Sequence, residues 1–562
     1  MISRTSPLIL NVVLSVAVFC SFFGIYFLLN STTPNLPAYD DGYYHIARAY
    51  SYWTGHPLAY PTVSTLARLP VNIYFGFHAL LAPFTSVFTG TNYDELIFSV
   101  KLFSNILAGL YFVGIFLLGY FFGRHLGLSE RRARIFGLLT CVVLFVLFAD
   151  FDFRLIMLRP HVISSLIVFF ILIATAVNRP APIFLASALF PFFYSFSVLG
   201  LLPLFCFIIA RYLWNGFRLR KKDFIPLGAG IAGLLVGILL RPDSFAYVFN
   251  AIGVHTLVLL NRFTGESIPG ASELGTASIY IGSLPWLLPF LLVSLFVLSR
   301  MITEKSIKII PFSYFYVAFT SFCFFLLYLV VNRTMEYFAA LGALSIAGFF
   351  VTPMPMLALK KGIWGTAASL PEKFKEWFPK RTLISVFTVV LAVLFFVNIF
   401  RIVKWNDGLA PYNVYRGAAE FMKQDSRGQG TVFTQGYDVY SRLVFFDSDN
   451  SYIMGMDHLF AYIYNKDLYW LWVHIMRSEN VCPKEHCQAF ASRDVFDIIK
   501  TDFKSKYIFL DSSLSVAVTT PEGTRAFQAR LESDKRFKKV FQDANYPAIF
   551  VYRLEEGVPK AP

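Results

Sequence analysis

The chain has 562 residues, of which 56% are hydrophobic and 15% charged, and its formal net charge is +14. Soluble globular chains carry about 45–50% apolar and about 25% charged residues, so this composition excludes a single water-soluble domain and a disordered or fibrous chain. The basic excess is compatible with nucleic-acid binding, but in a chain this apolar it more commonly marks the cytoplasmic loops of a membrane protein.

Eleven apolar runs divide the first 402 residues, and a transmembrane helix needs about 20 such residues to cross about 30 Å of hydrocarbon. The third and fifth runs are short. The first run follows Arg4 and also fits a signal peptide, but its length and the apolar runs behind it favour a retained anchor. The runs are 8–30, 97–123, 136–150, 161–178, 183–196, 197–214, 225–240, 281–299, 309–331, 337–356 and 383–402.

The placement of Lys and Arg between these runs predicts the orientation. If the N-terminus is cytoplasmic and the runs alternate, 20 Lys and Arg residues fall in cytoplasmic segments and 7 in the outer loops of the membrane portion. Cytoplasmic loops are enriched in basic residues, and a shift by one helix would remove the asymmetry, so an odd number of spans is expected. The basic charge therefore reports orientation, and no nucleic-acid partner is expected.

The first outer loop, residues 31–96, carries two adjacent carboxylates, Asp40 and Asp41. Aromatic and apolar residues recur at helical spacing just after them, which predicts a helix that starts at Asp40–Asp41. One aspartate is enough to cap that helix, so the second is a candidate functional group; capping alone is the alternative. A second helix, over 71–88, is apolar enough to lie along the membrane surface.

The outer segment after the third run contains the sequence Asp150-Phe-Asp152-Phe-Arg154. We expect an extended turn, in which residues i and i+2 point to the same side, so that both carboxylates reach one cation or one sugar. Carboxylate oxygens are suitable ligands for Mg²⁺ or Mn²⁺. The alternative is a solvated turn in which Asp150 pairs with Arg154.

Other outer residues are candidates for binding an anion or for completing the acidic site. Arg333 lies where an arginine can bind phosphate through two hydrogen bonds, contact lipid headgroups or pair with Glu336. Arg159 is a second candidate for phosphate. Glu266 and Glu273 are either further ligands or plain loop residues.

After residue 402 the composition becomes that of a soluble domain, and an odd number of spans places this domain outside the cytoplasm. Helix-like and strand-like segments alternate there, which predicts a small α/β domain. Cys482 and Cys487 lie close together in it and predict a disulfide, with a zinc site that includes His486 as the alternative. The predicted helices are 415–423, 494–503 and 521–533, and the predicted strands are 431–434, 506–511 and 548–553.

These elements together resemble the GT-C class of integral-membrane glycosyltransferases, and within it the catalytic subunit of oligosaccharyltransferase. That family has one span and then a long external loop with an Asp-Gly-Tyr or Asp-x-Tyr-Tyr-His element, here Asp41-Gly-Tyr-Tyr-His45. Its second external loop carries Asp-x-Asp or Asp-x-Glu, here Asp150-Phe-Asp152, and its soluble α/β domain is C-terminal and external. The resemblance implies a polytopic α-helical, GT-C-like domain of about 11 spans over 1–402 and an extracytoplasmic α/β domain over 403–562.

The sequence also departs from the family pattern. The Trp-Trp-Asp element, which reads the acceptor sequon in the family, is absent, and the nearest stretch is Phe433-Thr-Gln-Gly-Tyr-Asp438. The external glutamate motif has no clean match, and the spans number about eleven rather than thirteen. The resemblance therefore implies a lipid-linked sugar donor with an acceptor other than the asparagine of a sequon.

The implied activity is transfer of a sugar or glycan from a polyprenyl-phosphate or -diphosphate donor to a protein, lipid or glycan acceptor on the extracytoplasmic face. Asp41 would act as general base, or would hold Mg²⁺ or Mn²⁺ together with Asp150 and Asp152. Arg333 and Arg159 would offset the charge of the departing phosphate. The candidate catalytic carboxylates are Asp40, Asp41, Asp150 and Asp152.

Two other classes of protein fit the topology, namely a transporter or flippase of lipid-linked sugars and a non-catalytic membrane assembly protein. A transporter is expected to contain inverted repeats and charges at the membrane midplane. No repeat is visible, and Lys101 is the one conspicuous charge near the interior of a run. We expect a multi-pass protein with a cytoplasmic N-terminus, in contact with membrane lipids, in a bacterial or archaeal cell membrane rather than in the endoplasmic reticulum.

Overall fold

The structure is a computed structural model, and its contacts divide the chain into two compact units. The helical unit comprises residues 1–33, 104–239 and 273–408, and the mixed unit comprises 34–103, 240–272 and 409–562. Each unit is described by itself. The described residues are 7–36, 41–55, 72–253, 256, 283–303, 310–351, 380–436, 438–455, 461–462, 465–478, 493–514 and 521–557.

Most of the described residues form helices, which we number in chain order. The first ten are α1 (Pro7–Ser31), α2 (Asp41–Trp53), α3 (Phe75–Leu81), α4 (Tyr93–His125), α5 (Glu130–Leu147), α6 (Ala149–Ile156), α7 (His161–Ala176), α8 (Pro180–Phe193), α9 (Leu202–Trp214) and α10 (Ile225–Leu239). The others are α11 (Ser244–Tyr247), α12 (Leu284–Thr303), α13 (Phe312–Val330), α14 (Met335–Val351), α15 (Lys380–Asp407), α16 (Arg416–Ser426), α17 (Tyr440–Phe446), α18 (Lys466–Met476), α19 (Val495–Thr501) and α20 (Pro521–Ser533).

Each of the eleven apolar runs coincides with a helix, but fewer than eleven of the described helices are long and apolar enough to count as candidate spans. Six helices in the described part are long and apolar enough to cross a membrane, or seven if α5 and α6 form one bent span. Helices α7 and α8 have 16 and 14 residues. At 1.5 Å per residue they are roughly 21–24 Å long, less than the hydrocarbon thickness of about 30 Å. The chain is thus a membrane protein, and the prediction of eleven spans is not confirmed.

Close helix packing in the helical unit depends on small residues. Gly233 and Gly237 of α10 lie against α8, and a Cβ atom on either would overlap the backbone carbonyl of Phe184 or Ala188. Small residues four positions apart let two helices approach closely inside a membrane, where the hydrophobic effect supplies no net attraction between helices. The Gly-Leu-Leu-Val-Gly sequence of α10 therefore explains why α8 and α10 pack backbone to backbone.

The mixed unit contains a five-stranded sheet with the strand order β2-β1-β3-β5-β4. Strand β1 pairs in parallel with β2 and β3, whereas β5 pairs antiparallel with β3 and β4. This mixture of directions fits an α/β domain, as predicted for this region. The strands are β1 (Thr431–Thr434), β2 (Ser451–Tyr452), β3 (Tyr507–Asp511), β4 (Phe537–Gln542) and β5 (Ile549–Leu554).

The central strand β3 is buried on both faces of this sheet. Tyr507 and Phe509 belong to one apolar cluster, and Ile508 and Leu510 belong to the other. Since neighbouring side chains of a strand point to opposite faces, an uninterrupted apolar strand must be covered on both sides. Helix α2 contributes Tyr44 to the first cluster, so part of the first loop packs with the C-terminal region.

The contact between α2 and α17 explains this grouping. The ring centroid of Tyr44 lies 6.2 Å from that of Tyr440, and Tyr43 lies 5.4 Å from Phe445. Residues 34–103 and 240–272 consequently belong to the same compact unit as 409–562. The sequence-based boundary near residue 402 stays a prediction about domain organisation, because compactness in space and continuity along the chain are different criteria.

The predicted elements of the C-terminal region agree closely with the described ones. Predicted helix 521–533 and predicted strand 431–434 coincide with α20 and β1, and the other four predicted elements match within three residues at each end. Helices α17 and α18 and strands β2 and β4 were not predicted. The proposed Cys482–Cys487 pair lies outside the described residues.

Candidate functional site

The segment Asp150–Arg154 is helical, so the expected extended turn is wrong. Helix α5 ends at Leu147, and α6 begins at Ala149 after a bend of 93°. Asp150 and Asp152 lie in the first turn of α6, where the positive end of a helix stabilises carboxylates. Because successive residues of a helix are about 100° apart, residues i and i+2 point in nearly opposite directions. The two carboxylates therefore do not share one side.

Asp152 is fully buried and links three helices of the helical unit. Its Oδ1 accepts a hydrogen bond from the Tyr26 hydroxyl of α1 at 3.1 Å, and its Oδ2 accepts one from Asn398 Nδ2 of α15 at 2.5 Å. The same Asn398 nitrogen donates to the carbonyl of Phe145 at 2.7 Å. A buried carboxylate needs such partners, because burial without them costs several kcal/mol. Asp152 therefore holds α1, α6 and α15 together.

Asp150 has a different environment from Asp152. Its Oδ1 lies 2.8 Å from Nη2 of Arg401 in α15, and the two side chains are 29% and 38% exposed. The expected alternative, a pair between Asp150 and Arg154, is thus replaced by a pair with an arginine 251 residues away. Asp150 is a solvated, ion-paired carboxylate that incoming groups can reach.

A second acidic group, Glu336 of α14, lies close to the C-terminal half of α6. Its side chain is 0% exposed, and its Oε1 lies 3.0 Å from Nη1 of Arg154 and 3.7 Å from Nδ1 of His161. The backbone carbonyl of Glu336 accepts a hydrogen bond from the Ser165 hydroxyl at 3.3 Å. An ionised residue buried among membrane helices is costly and is a functional candidate by default. Glu336 and Arg154 thus form a buried ion pair with a histidine beside it.

The two candidate phosphate-binding arginines belong to the same helical unit. Arg333 lies in the single turn before α14, and its guanidinium carbon is 5.8 Å from the ring centroid of Tyr194. Arg159 lies in the turn between α6 and α7 and is 5% exposed. The helical unit therefore contains Asp150, Asp152 and both arginines, and α6 with the turn that follows it supplies three of the four.

Asp41 is the first residue of α2 in the mixed unit, as predicted, and is partly exposed. Asp40 lies outside the described residues. The helix begins here because Asp41 places a carboxylate at the positive end of the helix dipole, and its apolar face is buried from Tyr43 to Ala49. Fixing α2 fixes the position of Asp41 within this unit.

A chain of hydrogen bonds on the buried side of α2 fixes that helix. His45 Nδ1 lies 2.8 Å from His78 Nε2 of α3, and His78 Nδ1 lies 2.8 Å from Asn72 Oδ1. The Nδ2 of Asn72 donates to the Tyr52 hydroxyl at 2.7 Å, so Oδ1 is the acceptor for His78. His78 therefore carries its proton on Nδ1 and accepts on Nε2, and His45 donates from Nδ1.

The charge state of His78 follows from its surroundings. Burial, and then the nearby His45 and Arg48, hold the pKa of His78 well below the ordinary value of 6.5. His78 is thus neutral over the physiological range, as the hydrogen-bond directions require. The hydrogen bond between His45 and His78 therefore joins α2 to α3 without a charged His78.

The same chain continues to the segment after α10. The backbone N–H of Asn72 donates to Asp243 Oδ2 at 2.9 Å, and Arg241 Nη2 donates to the carbonyl of Asn72 at 2.6 Å. Arg241 also pairs with Asp243 at 2.9 Å and lies 4.0 Å from the ring centroid of Tyr247. Two separate stretches of sequence, 72–78 and 241–247, thus hold α2 in place.

The predicted metal ligands do not form a metal site in the described part of the chain. Within these residues, no group of three or more His, Cys, Asp or Glu side chains could hold a metal ion. Asp152 is buried and bonded to Tyr26 and Asn398, and Asp150 lies on nearly the opposite side of α6, where it pairs with Arg401. The pair Asp150–Asp152 therefore does not fit Mg²⁺ or Mn²⁺. Glu266 and Glu273 lie outside the described residues.

Several residues of these networks were not singled out from the sequence. His78, Asn398 and Arg401 gave no signal, because each is far along the chain from its partner. Glu336 and His161 had a usable sequence signal, because acidic and imidazole groups next to apolar runs are rare. From the sequence alone, Glu336 is a candidate only as a partner of Arg333.

Comparison with known proteins gives a fold match without a sequence match. No protein-family model and no curated protein matches the sequence. The archaeal oligosaccharyltransferase AglB from Archaeoglobus fulgidus, solved with an inhibitory peptide and a dolichol-phosphate, is similar with a TM-score of 0.58 and 10% identity. The match covers 97% of this chain and 75% of that one. Another structure of the Archaeoglobus fulgidus enzyme, with Zn and sulfate, has a TM-score of 0.52 at 12% identity, covering 96% and 73%.

A bacterial protein of similar length matches as well. ArnT from Cupriavidus metallidurans, solved with undecaprenyl phosphate, has a TM-score of 0.50 at 12% identity, and the match covers 97% of this chain and 98% of that one. At such low identity the likeness describes the fold alone. The resemblance read from the sequence is confirmed at that level: the chain has the fold of the GT-C glycosyltransferases.

Proposed function

We propose that this protein is a membrane glycosyltransferase that uses a polyprenyl-phosphate-linked donor and acts on the extracytoplasmic face. The observation that carries the proposal is the fold match over nearly the whole chain to two kinds of glycosyltransferase, each solved with a polyprenyl-type phosphate. The apolar helices and the conjunction of carboxylates and arginines in the helical unit support it. The acceptor is a hydroxyl-bearing lipid, glycan or protein.

The proposed reaction is a displacement at the anomeric carbon of the donor sugar. The acceptor oxygen forms a bond to that carbon while the bond from the carbon to the phosphate oxygen breaks, and the electron pair leaves on the phosphate. The acceptor proton passes to the Asp41 carboxylate, which acts as general base. Arg333 and Arg159 offset the negative charge that develops on the phosphate. No step is routed through a metal, because Asp150 and Asp152 do not fit one.

The other residues of the two networks have positioning roles in this proposal. The His45–His78–Asn72 chain holds α2 and so the Asp41 carboxylate. Asp152 holds α6, from which Asp150 presents its solvated carboxylate. Asp150 can accept a hydrogen bond from a hydroxyl of the sugar or of the acceptor. Preorganised groups of this kind reduce the cost of orienting two substrates.

The test has two stages. Mass spectrometry of glycolipids and glycoproteins from cells lacking the chain identifies the glycan that changes, and hence the sugar and acceptor. Transfer from the corresponding lipid-linked donor is then measured with the purified full chain in proteoliposomes. An unchanged glycan profile would contradict the proposal, and a lipid-linked sugar that crosses the bilayer without transfer would favour the transporter.

Asp41→Asn tests the general base. We expect transfer to fall by about 10²- to 10⁴-fold, because asparagine cannot accept the proton. The matched control is Asp94→Asn, which changes an exposed carboxylate in the first turn of α4 that accepts a hydrogen bond from Tyr412 at 2.8 Å. Equal rates for the Asp41 variant, the control and the unaltered protein would remove Asp41 from the mechanism.

A further inference from the structure

A polar cavity of about 220 Å³ lies at the C-terminal end of α9 in the helical unit. Its wall includes Arg211 of α9 and Arg220, Lys222 and Asp223 of the turn that precedes α10. The distribution of Lys and Arg along the chain predicts that this end of α9 is cytoplasmic. The cavity is therefore separate from the proposed extracytoplasmic reaction and needs its own explanation.

The wall of this cavity contains three cations and one acidic residue. Within the described part of the chain, Arg211, Arg220 and Lys222 form no ion pair with any carboxylate. The one acidic residue in the wall, Asp223, is 8% exposed, and its Oδ2 accepts the backbone N–H of Arg220 at 2.8 Å. Three positive side chains thus surround a space in which one negative group is already committed to the backbone.

Arg211 is held in a fixed position by aromatic rings. Its guanidinium carbon lies 3.7 Å from the ring centroid of Phe312 and 5.3 Å from that of Phe207. Its Nε is buried and has no hydrogen-bond partner. A guanidinium stacked on a ring keeps its planar edge of N–H donors available, and that edge matches the oxygens of a phosphate. The site is thus built before any ligand arrives.

The other wall of the cavity is fixed as well. The indole nitrogen of Trp214 donates to the carbonyl of Ile310 at 3.2 Å, which ties the end of α9 to the start of α13. The volume corresponds to on the order of seven water molecules, which is enough for a phosphate group with part of the molecule that carries it. The volume and the positive charge of the cavity therefore both favour a ligand with a phosphate group.

We propose that this cavity binds a phosphate group, carried by an anionic lipid headgroup or by a soluble phosphate compound. Arg211 supplies two parallel N–H donors, and Arg220 and Lys222 supply the remaining positive charge. Basic segments beside membrane helices attract anionic lipids of the cytoplasmic leaflet, so both sources have access to this end of α9. The occupied site would join α9 to the turn before α10.

The test compares cavity cations with neighbouring cations outside the cavity wall. The cavity variant is Arg211→Gln/Lys222→Gln, and the matched control is Arg218→Gln/Lys221→Gln, which removes the same charge from exposed positions of the same segment. Native mass spectrometry of the purified full chain measures retention of added phosphatidylglycerol against phosphatidylcholine. Isothermal titration calorimetry measures binding of inorganic phosphate and pyrophosphate.

We expect the unaltered protein and the control to bind at least one of these anions, and the cavity variant to lose about tenfold or more in affinity. Preferential retention of phosphatidylglycerol identifies the lipid source; binding of phosphate or pyrophosphate without it identifies the soluble source. Equal losses in the cavity variant and the control, or no binding of any probe by the unaltered protein, would overturn the proposal. Lys222→Glu, at an exposed position, tests the site without disturbing the stacked arginine and should weaken binding at least as much as Lys222→Gln.

Discussion

Buried polar groups are stabilised in two different ways in this molecule. Beside α6 in the helical unit, Glu336 and Arg154 form a buried ion pair at 3.0 Å. Beneath α2 in the mixed unit, His45, His78 and Asn72 form a neutral chain in which each hydrogen bond has a defined direction. Neither arrangement is confined to one unit, because Asp152 of the helical unit has the neutral partners Tyr26 and Asn398. In the mixed unit, Arg241 and Asp243 form a buried ion pair.

The difference has a consequence for stability. Removing one member of a buried ion pair leaves an uncompensated charge, which costs far more than the pair contributes. Removing one member of a neutral chain leaves a single unmet donor or acceptor, which costs about 1–3 kcal/mol. The two networks should therefore respond to substitution with different magnitudes and different dependence on pH.

The largest expected effect is at Glu336, which defines the charged side of the comparison. Arg154→Leu leaves the Glu336 carboxylate buried without its counter-charge, and we expect a loss of about 3–5 kcal/mol in the free energy of unfolding. The double variant Arg154→Leu/Glu336→Leu should recover most of that loss, because no charge remains buried. Unfolding in detergent of the unaltered protein, Arg154→Leu, Glu336→Leu and the double variant gives a double-mutant cycle. Additive losses would show that the two residues act independently.

A smaller effect is expected at Asp152, and Asp150 serves as its matched control. Asp152→Ala leaves the Tyr26 hydroxyl without its acceptor, so we expect a cost of about 1–3 kcal/mol. Asp150→Ala breaks a partly exposed pair with Arg401, which is worth about 0–1 kcal/mol. Unfolding in detergent measures the loss in the free energy of unfolding for both variants. A larger loss for Asp150 would contradict the assignment of Asp152 as the residue that joins α1, α6 and α15.

The smallest effect is a dependence on pH that distinguishes the neutral network. The pKa of His78 is lowered in the folded protein, so the unfolded chain takes up the proton first as the pH falls. The stability from His78 is therefore complete above about pH 6.5 and decreases below it, by up to about 1.4 kcal/mol per pH unit. The polar and titratable groups around His78 in the described part of the chain include His45, Arg48, Asn72, Tyr44, Tyr52 and Tyr74.

His78→Gln should reduce this slope, and the exposed His125 gives a control in His125→Gln. Unfolding midpoints between pH 5 and pH 8 measure the effect, with each variant compared with the unaltered protein at the same pH. If His78→Gln retains the full slope below pH 6.5, the titrating group is another one and the neutral state of His78 is wrong.

The sequence predicted much of the local structure because the determinants are local. Apolar runs long enough for helices, the start of α2 at Asp41, and the strand-like segments that form β1 and β3 all depend on neighbouring residues. Two kinds of feature were not predicted from the sequence. The chain bends by 93° between α5 and α6, and the segment expected to be extended is the helix α6. Helices α7 and α8 are apolar runs that form helices of only 16 and 14 residues.

The sequence by itself determined that this is a membrane protein with apolar helices, that a helix begins at Asp41, and that helices and strands alternate in the C-terminal region. Only the tertiary structure decided which partner each charged group takes, since Asp152 meets Asn398 across 246 residues and Arg154 meets Glu336 across 182. It also decided that part of the first loop packs with the C-terminal sheet through α2 and α17. Hydropathy and periodicity act over one or two helical turns, whereas the pairing of buried charges is chosen by every segment that packs around them.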